Sequence, residues 1–494
     1  MTCSPAAPSL PSTSLDPADR AGWDALRAQG HRMLDDMVDH LMTLRERPVW
    51  QPAPASARAA FHQPVPRAPT PLAQAHATFM TQVLPYGVGN THPGFMGWVH
   101  GGGTAEGMLA ELLAAGLNAN LGGRDHLPIE VERQITRWLR TLFGLPATAS
   151  GLFVTGSSMA NLIGVLLART RALGEASREI GVGAARLVAY TSAGAHGCVA
   201  QAMAISGLGT AALRRVPVDA ESRIDLAALR RRLAEDRAAG FTPFLLVGTA
   251  GTVDVGAIDD LAALAALARA ERLWFHVDGA FGALGVLAPE IAPRLAGLAQ
   301  ADSVALDFHK WGQVPYDAGF ILVRDQADAL AAFASPAAYL ARHPRGLAAG
   351  SPWPCDLGPD LSRGFRALKT WFTLVVHGTD RLGAAIGGAC ALAQRLRARV
   401  EAEPALELMA PVPLNIVCFR HRGDATTADP QALDHLNAEI VADLHEAGLA
   451  APSTTRLAGR TVIRAALVNH RTEARDVDAL VDAVLACGVA RLAR

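Results

Sequence analysis

From residue 150 to 325 the chain alternates short, fully apolar runs with longer stretches whose apolar residues recur every three or four positions. The runs are Leu152–Val154, Leu187–Tyr190, Phe244–Val247, Leu273–Val277 and Ser303–Leu306, with helical spacing over Leu226–Ala239 and Asp260–Glu271. A strand with no polar face is covered on both sides, so this alternation predicts an α/β domain with a mainly parallel central sheet. Ahead of it, Asp24–Arg45 carries Leu26, Met33, Met37, Leu41 and Leu44 at helical spacing and stops before Pro48. Glu106–Ala119 and Ile129–Phe143 predict two more amphipathic helices, and residues 361–378 a long one. Asn415–Arg420 and Thr461–Val468 read as strands flanking a helix from Pro430 to Ala447, a small α+β C-terminal domain. Residues 51–71, rich in Pro and Ala, predict an extended connection, and the Pro/Ser-rich first 20 or so residues are expected to be disordered.

Composition narrows the class. A chain of 494 residues has room for two or three domains, and half its residues are hydrophobic. Lys and Arg (45) nearly balance Asp and Glu (46), and no basic stripe dominates any segment, so no nucleic-acid partner is expected. Apolar stretches such as Leu261–Ala268 are broken by charge well short of the roughly 20 residues of a membrane span. The first residues show no basic stretch leading into an apolar core. Cys3, Cys198, Cys355, Cys390, Cys418 and Cys487 lie far apart with no CxxC spacing, which predicts reduced thiols in a cytoplasmic protein and no metal.

Candidate chemistry gathers at strand ends. In DFHKWGQVPYDAGF (307–320) a His-Lys pair stands between two apolar runs, which puts Lys310 at a sheet edge rather than on a solvated helix face. A lysine held there can lose its proton and condense with an aldehyde. About thirty residues earlier, LWFHVDGAFGA (273–283) ends an apolar strand in Asp278. The carboxyl ends of parallel strands are where open α/β sheets bind ligands. TGSSMAN (155–161) follows another strand and opens a helix. Small and hydroxyl residues there suit a phosphate site, or equally an N-cap. His196, in SAGAHGCV, lies between a strand and a helix.

Strand-Asp followed by strand-His-Lys resembles the pyridoxal-phosphate enzymes of fold type I, the aspartate aminotransferase-like fold. The closer resemblance is to the group II amino acid decarboxylases, which include the aromatic and glutamate decarboxylases, and it runs from about residue 22 to the C-terminus. It implies a tail (1–21), a segment wrapping the partner subunit of a homodimer (22–110), a large cofactor-binding domain (111–385) and a small α+β domain (386–494). It implies pyridoxal 5'-phosphate as cofactor, on Lys310 as a Schiff base, with its ring nitrogen beside Asp278 and its ring between Ala280 and His196. Gly156, Ser157, Ser158, His309 and Thr252 would complete the cofactor site. Tyr339, in SPAAYLARH, matches a mobile-loop tyrosine that protonates the carbon left by carbon dioxide. Trp98, Val99 and His100, in THPGFMGWVHG, would line the substrate pocket, where the aromatic decarboxylases tend to have Tyr, Phe and Pro. The family usually reads Asn-Pro-His-Lys where this chain has Asp307-Phe308-His309-Lys310. The activity implied is decarboxylation of an L-amino acid, most simply an aromatic one. Another fold-type-I activity (aminotransferase, aldehyde-forming oxidative deaminase or carbon–carbon lyase) is the alternative, and a non-catalytic scaffold the rival from another class.

Overall fold

A computed structural model describes residues 14–334, 341–424 and 429–493. The chain divides into two compact units, one reaching Arg47 and resuming over Gln51–Val88, the other formed by Pro48–Trp50 and Gly89 onward. In the first, α1 (Arg20–Met42) begins where the Asp19 carboxylate accepts the Gly22 N–H. Two short helices follow, α2 (Ala55–Ala59) and α3 (Leu72–Thr78). The expected extended connection over 51–71 is thus interrupted by one helical turn, in which Ala and Arg, good helix formers, follow Pro54. Along α1, Trp23, Leu26, Met33, Leu34 and Val38 stay exposed.

The second unit carries twelve described strands in two sheets. The large sheet contains β2 (Ser150–Val154), β3 (Leu187–Ser192), β4 (Leu213–Val216), β5 (Thr242–Thr249), β6 (Trp274–Asp278), β7 (Ser303–Asp307) and β8 (Gly319–Val323), in the order β2-β8-β7-β6-β5-β3-β4. Only β8 runs against its neighbours; the other pairings are parallel. Around it lie α4 (Ala105–Leu117), α5 (Leu127–Phe143), α6 (Ser157–Leu173), α7 (Ser177–Ile180), α8 (Gly197–Ile205), α9 (Leu226–Ala238), α10 (Leu261–Glu271) and α11 (Gln326–Phe333). Leu246, Val277, Leu306 and Phe320 face one core, and Leu245, Val247, Ala305 and Ile321 the other, so the apolar runs are strands buried on both faces.

Beyond α12 (Arg366–Ala402) the small sheet joins β1 (Phe95–Met96), β9 (Leu406–Leu408), β10 (Ile416–His421), β11 (Ala451–Leu457) and β12 (Arg460–Ala466), in the order β1-β11-β12-β10-β9. It is accompanied by α13 (Pro430–Glu446) and α14 (Ala474–Leu492). The helix expected over 361–378 starts at Arg366 and continues to Ala402 across a break at Gly378, whose φ of 70° interrupts the helical run. Among the described residues no helix is long and apolar enough to cross a membrane.

One buried ion pair fastens β2, an edge strand of the large sheet. Glu132 on α5 accepts the Phe153 N–H at 3.0 Å, while Arg363 donates to Glu132 at 2.5 Å and to the carbonyls of Phe153 and Leu121 at 2.9 Å each. Both side chains are almost wholly buried. Substituting Arg363→Met leaves the Glu132 carboxylate in a dry site without its partner, and we expect a stability loss of about 3–5 kcal/mol in urea denaturation. A loss below about 1 kcal/mol would show that water reaches the pair.

Candidate active site

The register of β5, β6 and β7 sets Thr249 opposite Asp278 and Asp278 opposite Ala305, so these parallel strands end nearly in step. A cavity of about 370 Å³ opens at that edge, and Lys310, Asp278, His196, Ala280, His309 and Tyr316 all line it. Lys310 is mostly buried, with its Nζ 2.7 Å from the Asp307 carboxylate. Asp278 is 3 % exposed and accepts the Ala280 N–H at 3.2 Å. Burial pushes its pKa up, and the positive charge of Lys310 opposes that shift most strongly. His196 caps α8, its Nδ1 accepting the Cys198 N–H at 3.1 Å, which leaves Nε2 as the remaining nitrogen of the ring.

The α6 N-terminus forms another wall, where Thr155, Gly156, Ser157 and Ser158 line the cavity. Gly156 cannot be spaced away from the sheet: a Cβ on Gly319 of β8 would come within 2.3 Å of its backbone. Ser157 is committed, because its N–H and hydroxyl both donate to Asp307, at 2.7 and 2.8 Å. Ser158 is exposed, and among the described residues its backbone N–H finds no acceptor. The anion-binding capacity expected of this turn therefore centres on Ser158 rather than on Ser157.

His309 is fixed by its neighbours. Its Nδ1 accepts the Ala318 N–H at 3.0 Å, so a neutral ring carries its proton on Nε2, 3.6 Å from Asp307. Its ring packs on Tyr316 with centroids 4.2 Å apart. Burial lowers its pKa to about 4 although the Asp307 carboxylate pulls the other way.

Behind Asp278 runs a buried chain of polar side chains. Asn161 Nδ2 donates to the Cys198 sulfur at 3.3 Å, and the Asn161 amide favours the charged form of Asp278 against its burial. An amide nitrogen facing a carboxylate leaves Oδ1 for His276 Nε2, at 2.8 Å, so that nitrogen must carry the ring proton. His276 Nδ1 then accepts from the Ser303 hydroxyl at 2.7 Å, and Ser303 accepts from the Trp274 indole N–H at 2.8 Å. Complete burial holds the pKa of His276 down to about 3, consistent with a neutral ring.

Not every expected residue arrives. Trp98, Val99 and His100 line the cavity, but Thr252 is absent from its wall. The Thr252 hydroxyl instead accepts the Ala257 N–H at 2.9 Å inside a tight turn, and Thr249, Gly251 and Val253 take the adjoining wall positions. Tyr339 lies outside the described residues. Tyr316, Cys198 and Asn161 were not anticipated. Tyr316 could have been noticed from the Pro-Tyr-Asp turn directly after the lysine, whereas nothing local marks Asn161. Arg464 is structural: it donates to the carbonyls of Trp98 and Val253, both at 3.0 Å, and so fixes the Trp98 backbone.

An aldehyde-bearing pyridine phosphate requires an amine, a carboxylate for its ring nitrogen, a small residue against its ring and an anion seat. Lys310, Asp278, Ala280 and the Ser158 turn supply them at one cavity. Thr249 Oγ1 and His100 Nδ1, both in its lining, are buried and have no hydrogen-bond partner among the described residues, as expected of atoms placed to meet a polar ligand. The residues fit the group.

The pyridoxal-dependent decarboxylase conserved domain matches residues 54–422. The chain belongs to the pyridoxal-dependent decarboxylase family. It is 30 % identical to an aromatic-L-amino-acid decarboxylase of Bacillus atrophaeus over 459 residues, covering 92 % of this chain and 93 % of the relative. It is 34 % identical to an L-2,4-diaminobutyrate decarboxylase of Rhizobium meliloti over 427 residues, 85 % and 83 % of the two chains. Its fold is that of Oryza sativa TDC, solved with PLP and tryptamine, at a TM-score of 0.88 and 24 % identity, covering 97 % of this chain and all of that one. As a member of this decarboxylase family the protein is a carboxy-lyase whose cofactor is pyridoxal 5'-phosphate.

For the unloaded decarboxylase we expect His309 to give the nitrogen-15 signals of a neutral ring protonated on Nε2 at pH 6. An imidazolium there at pH 6 would contradict the geometry. An unfolded histidine titrates near 6.5, so unfolding takes up a proton below that pH. The contribution of His309 to stability is therefore complete above about 6.5 and is lost as pH falls toward about 4.

Proposed function

We propose that this decarboxylase acts on an L-amino acid with an aromatic side chain, with Lys310 and Asp278 at the centre of the reaction. The observation that carries the reading is the single cavity lined by an amine, a buried carboxylate and a free helix-start amide. Lys310 would hold the cofactor covalently, and the Ser158 turn with Gly156 would seat its phosphate. Asp278 would keep the ring nitrogen protonated, since an adjacent negative charge favours the charged form. When bound, the cofactor supplies the electron sink for the cleaved bond. His196 and Ala280 would confine the ring, and His309 would offer its Nε2 proton from the side of Asp307. Tyr339 would return a proton to the substrate carbon. Ring packing supports an aromatic substrate: His100 stacks on Phe95 (5.7 Å) and Trp98 (5.6 Å) and meets Tyr316 edge-on (5.8 Å). A planar side chain would extend that array.

Mass spectrometry of the loaded protein with a mixture of L-amino acids tests this. The expected product is an amine lighter than one aromatic input by carbon dioxide, and a product only from an acidic or diamino substrate would refute the aromatic assignment. Lys310→Ala should abolish turnover. Tyr339→Phe should slow amine formation by about 10²-fold or more, as loss of a positioned acid does. Unchanged amine formation by that variant would remove Tyr339 from the reaction.

The working unit proposed is a homodimer. In support, α4 leaves Leu109, Leu112, Leu113 and Leu117 exposed, and α12 leaves Val375 and Val376. Apolar residues clustered on one helix in this way are the usual mark of a surface covered by another chain. Sedimentation should show a dimer that Leu112→Glu with Leu113→Glu converts to monomer; a wild-type monomer would refute the proposal.

A further inference from the structure

Asp307 is an anion at the place where the site awaits another one. Its carboxylate is 1 % exposed and accepts from the Ser157 N–H, the Ser157 hydroxyl and Lys310. The first amide of α6, where the helix dipole favours negative charge, is thus already occupied by the chain's own carboxylate. Ser158, the next residue of that turn, borders the same cavity as Asp307. A phosphate seated there would meet the carboxylate in a largely dry site. Among the described residues the cation paired with Asp307 belongs to Lys310, whose amine the cofactor aldehyde would need.

We propose that Asp307 makes cofactor loading proton-linked, so that a proton is held between the Asp307 carboxylate and a phosphate oxygen once the cofactor is seated. The inference rests on the reading of the Ser158 turn as the phosphate seat. Two oxyanions sharing a buried site cannot both stay fully charged, and they titrate as a pair. The phosphate, with a second pKa near 6, and a carboxylate are both able to keep that proton. The proton is available locally. Lys310 would hold the cofactor aldehyde, and any proton its ammonium releases in forming a neutral imine would find the Asp307 carboxylate 2.7 Å away.

Among the described residues no other group facing Asp307 takes this part. His309 is held neutral by burial and is tied to Ala318 through Nδ1. Tyr316 and Cys198 are kept protonated by burial, and Asp278 on β6 adds negative charge rather than relieving it. Asp317 and Lys369 act on the region through His309, and Lys369 is itself bonded to the Tyr316 carbonyl at 3.1 Å.

The test compares dissociation constants of pyridoxal 5'-phosphate and of pyridoxal, which lacks the phosphate, between pH 6.5 and 8.5, for the wild type, Asp307→Asn and Ser158→Pro, which removes the amide in a first turn that tolerates proline. In the wild type the advantage of the phosphorylated form should shrink as pH rises. Asp307→Asn should bind the phosphorylated form more tightly, by a margin that widens by up to about tenfold per pH unit, the slope of a single linked proton. Inorganic phosphate at pH 8 should raise the melting temperature of unloaded Asp307→Asn more than that of the wild type. Parallel pH slopes for wild type and Asp307→Asn overturn the proposal, as does an advantage in the wild type that grows with pH. The latter measurement needs no variant to fold. If Ser158→Pro leaves the advantage unchanged, the phosphate seat itself is misplaced and both readings fall. If Ser158→Pro reduces it while Asp307→Asn does not alter the slope, only the role of Asp307 falls.

Discussion

Three parallel strands ending in step make the site possible. Because β5, β6 and β7 keep their register to the last residue, Thr249 and Asp278 stand side by side, and the connection after β7 brings Lys310 to the same edge. Strand ends are where an α/β sheet exposes backbone without neighbours, so they tolerate polar groups that the interior excludes. β8 closes the arrangement from the other direction. Its antiparallel return places Gly319 hard against Gly156, which brings the start of α6 onto the cavity.

The charges brought together are costly to bury and are therefore interlocked. Asp307 is satisfied by α6 and by Lys310, and Asp278 by the Ala280 amide. Such networks hold a geometry by penalising any member left unpaired more than by adding net stability. The same logic acts at the far edge of the sheet, where Glu132 and Arg363 share the backbone of Phe153. Rigidity of this kind is what a decarboxylase needs, since the cleaved bond must be held at one angle to the ring for its electrons to be drawn away.

Much of this was legible in the chain. Strands buried on both faces have no polar alternation to confuse them, so β5, β6 and β7 stand out, and Asp278 and Lys310 follow from where those runs end. What resisted reading was polar or long-range. β4 carries Arg214 and Arg215, and β11 reads APSTTRL, so neither has an apolar run to announce it. Thr252 and Thr249 both lie in the same strand-end segment, and only the turn closed by Ala257 turns one inward and leaves the other on the cavity. The commitment of Ser157 to Asp307 joins residues 150 positions apart, a distance over which local pattern says nothing.

The polar chain behind Asp278 has a direction. From the Trp274 indole through Ser303 and His276 to the Asn161 carbonyl, every proton points the same way, and each link leaves its neighbour one way to face. Dipoles aligned head to tail reinforce one another. The Asp278 end of β6 is therefore backed by a run of bonds that starts at Trp274, at the other end of the same strand and outside the cavity lining. A survey of variants confined to the cavity wall would leave this support unseen, since Ser303 acts on the site from outside its lining, through His276 and Asn161.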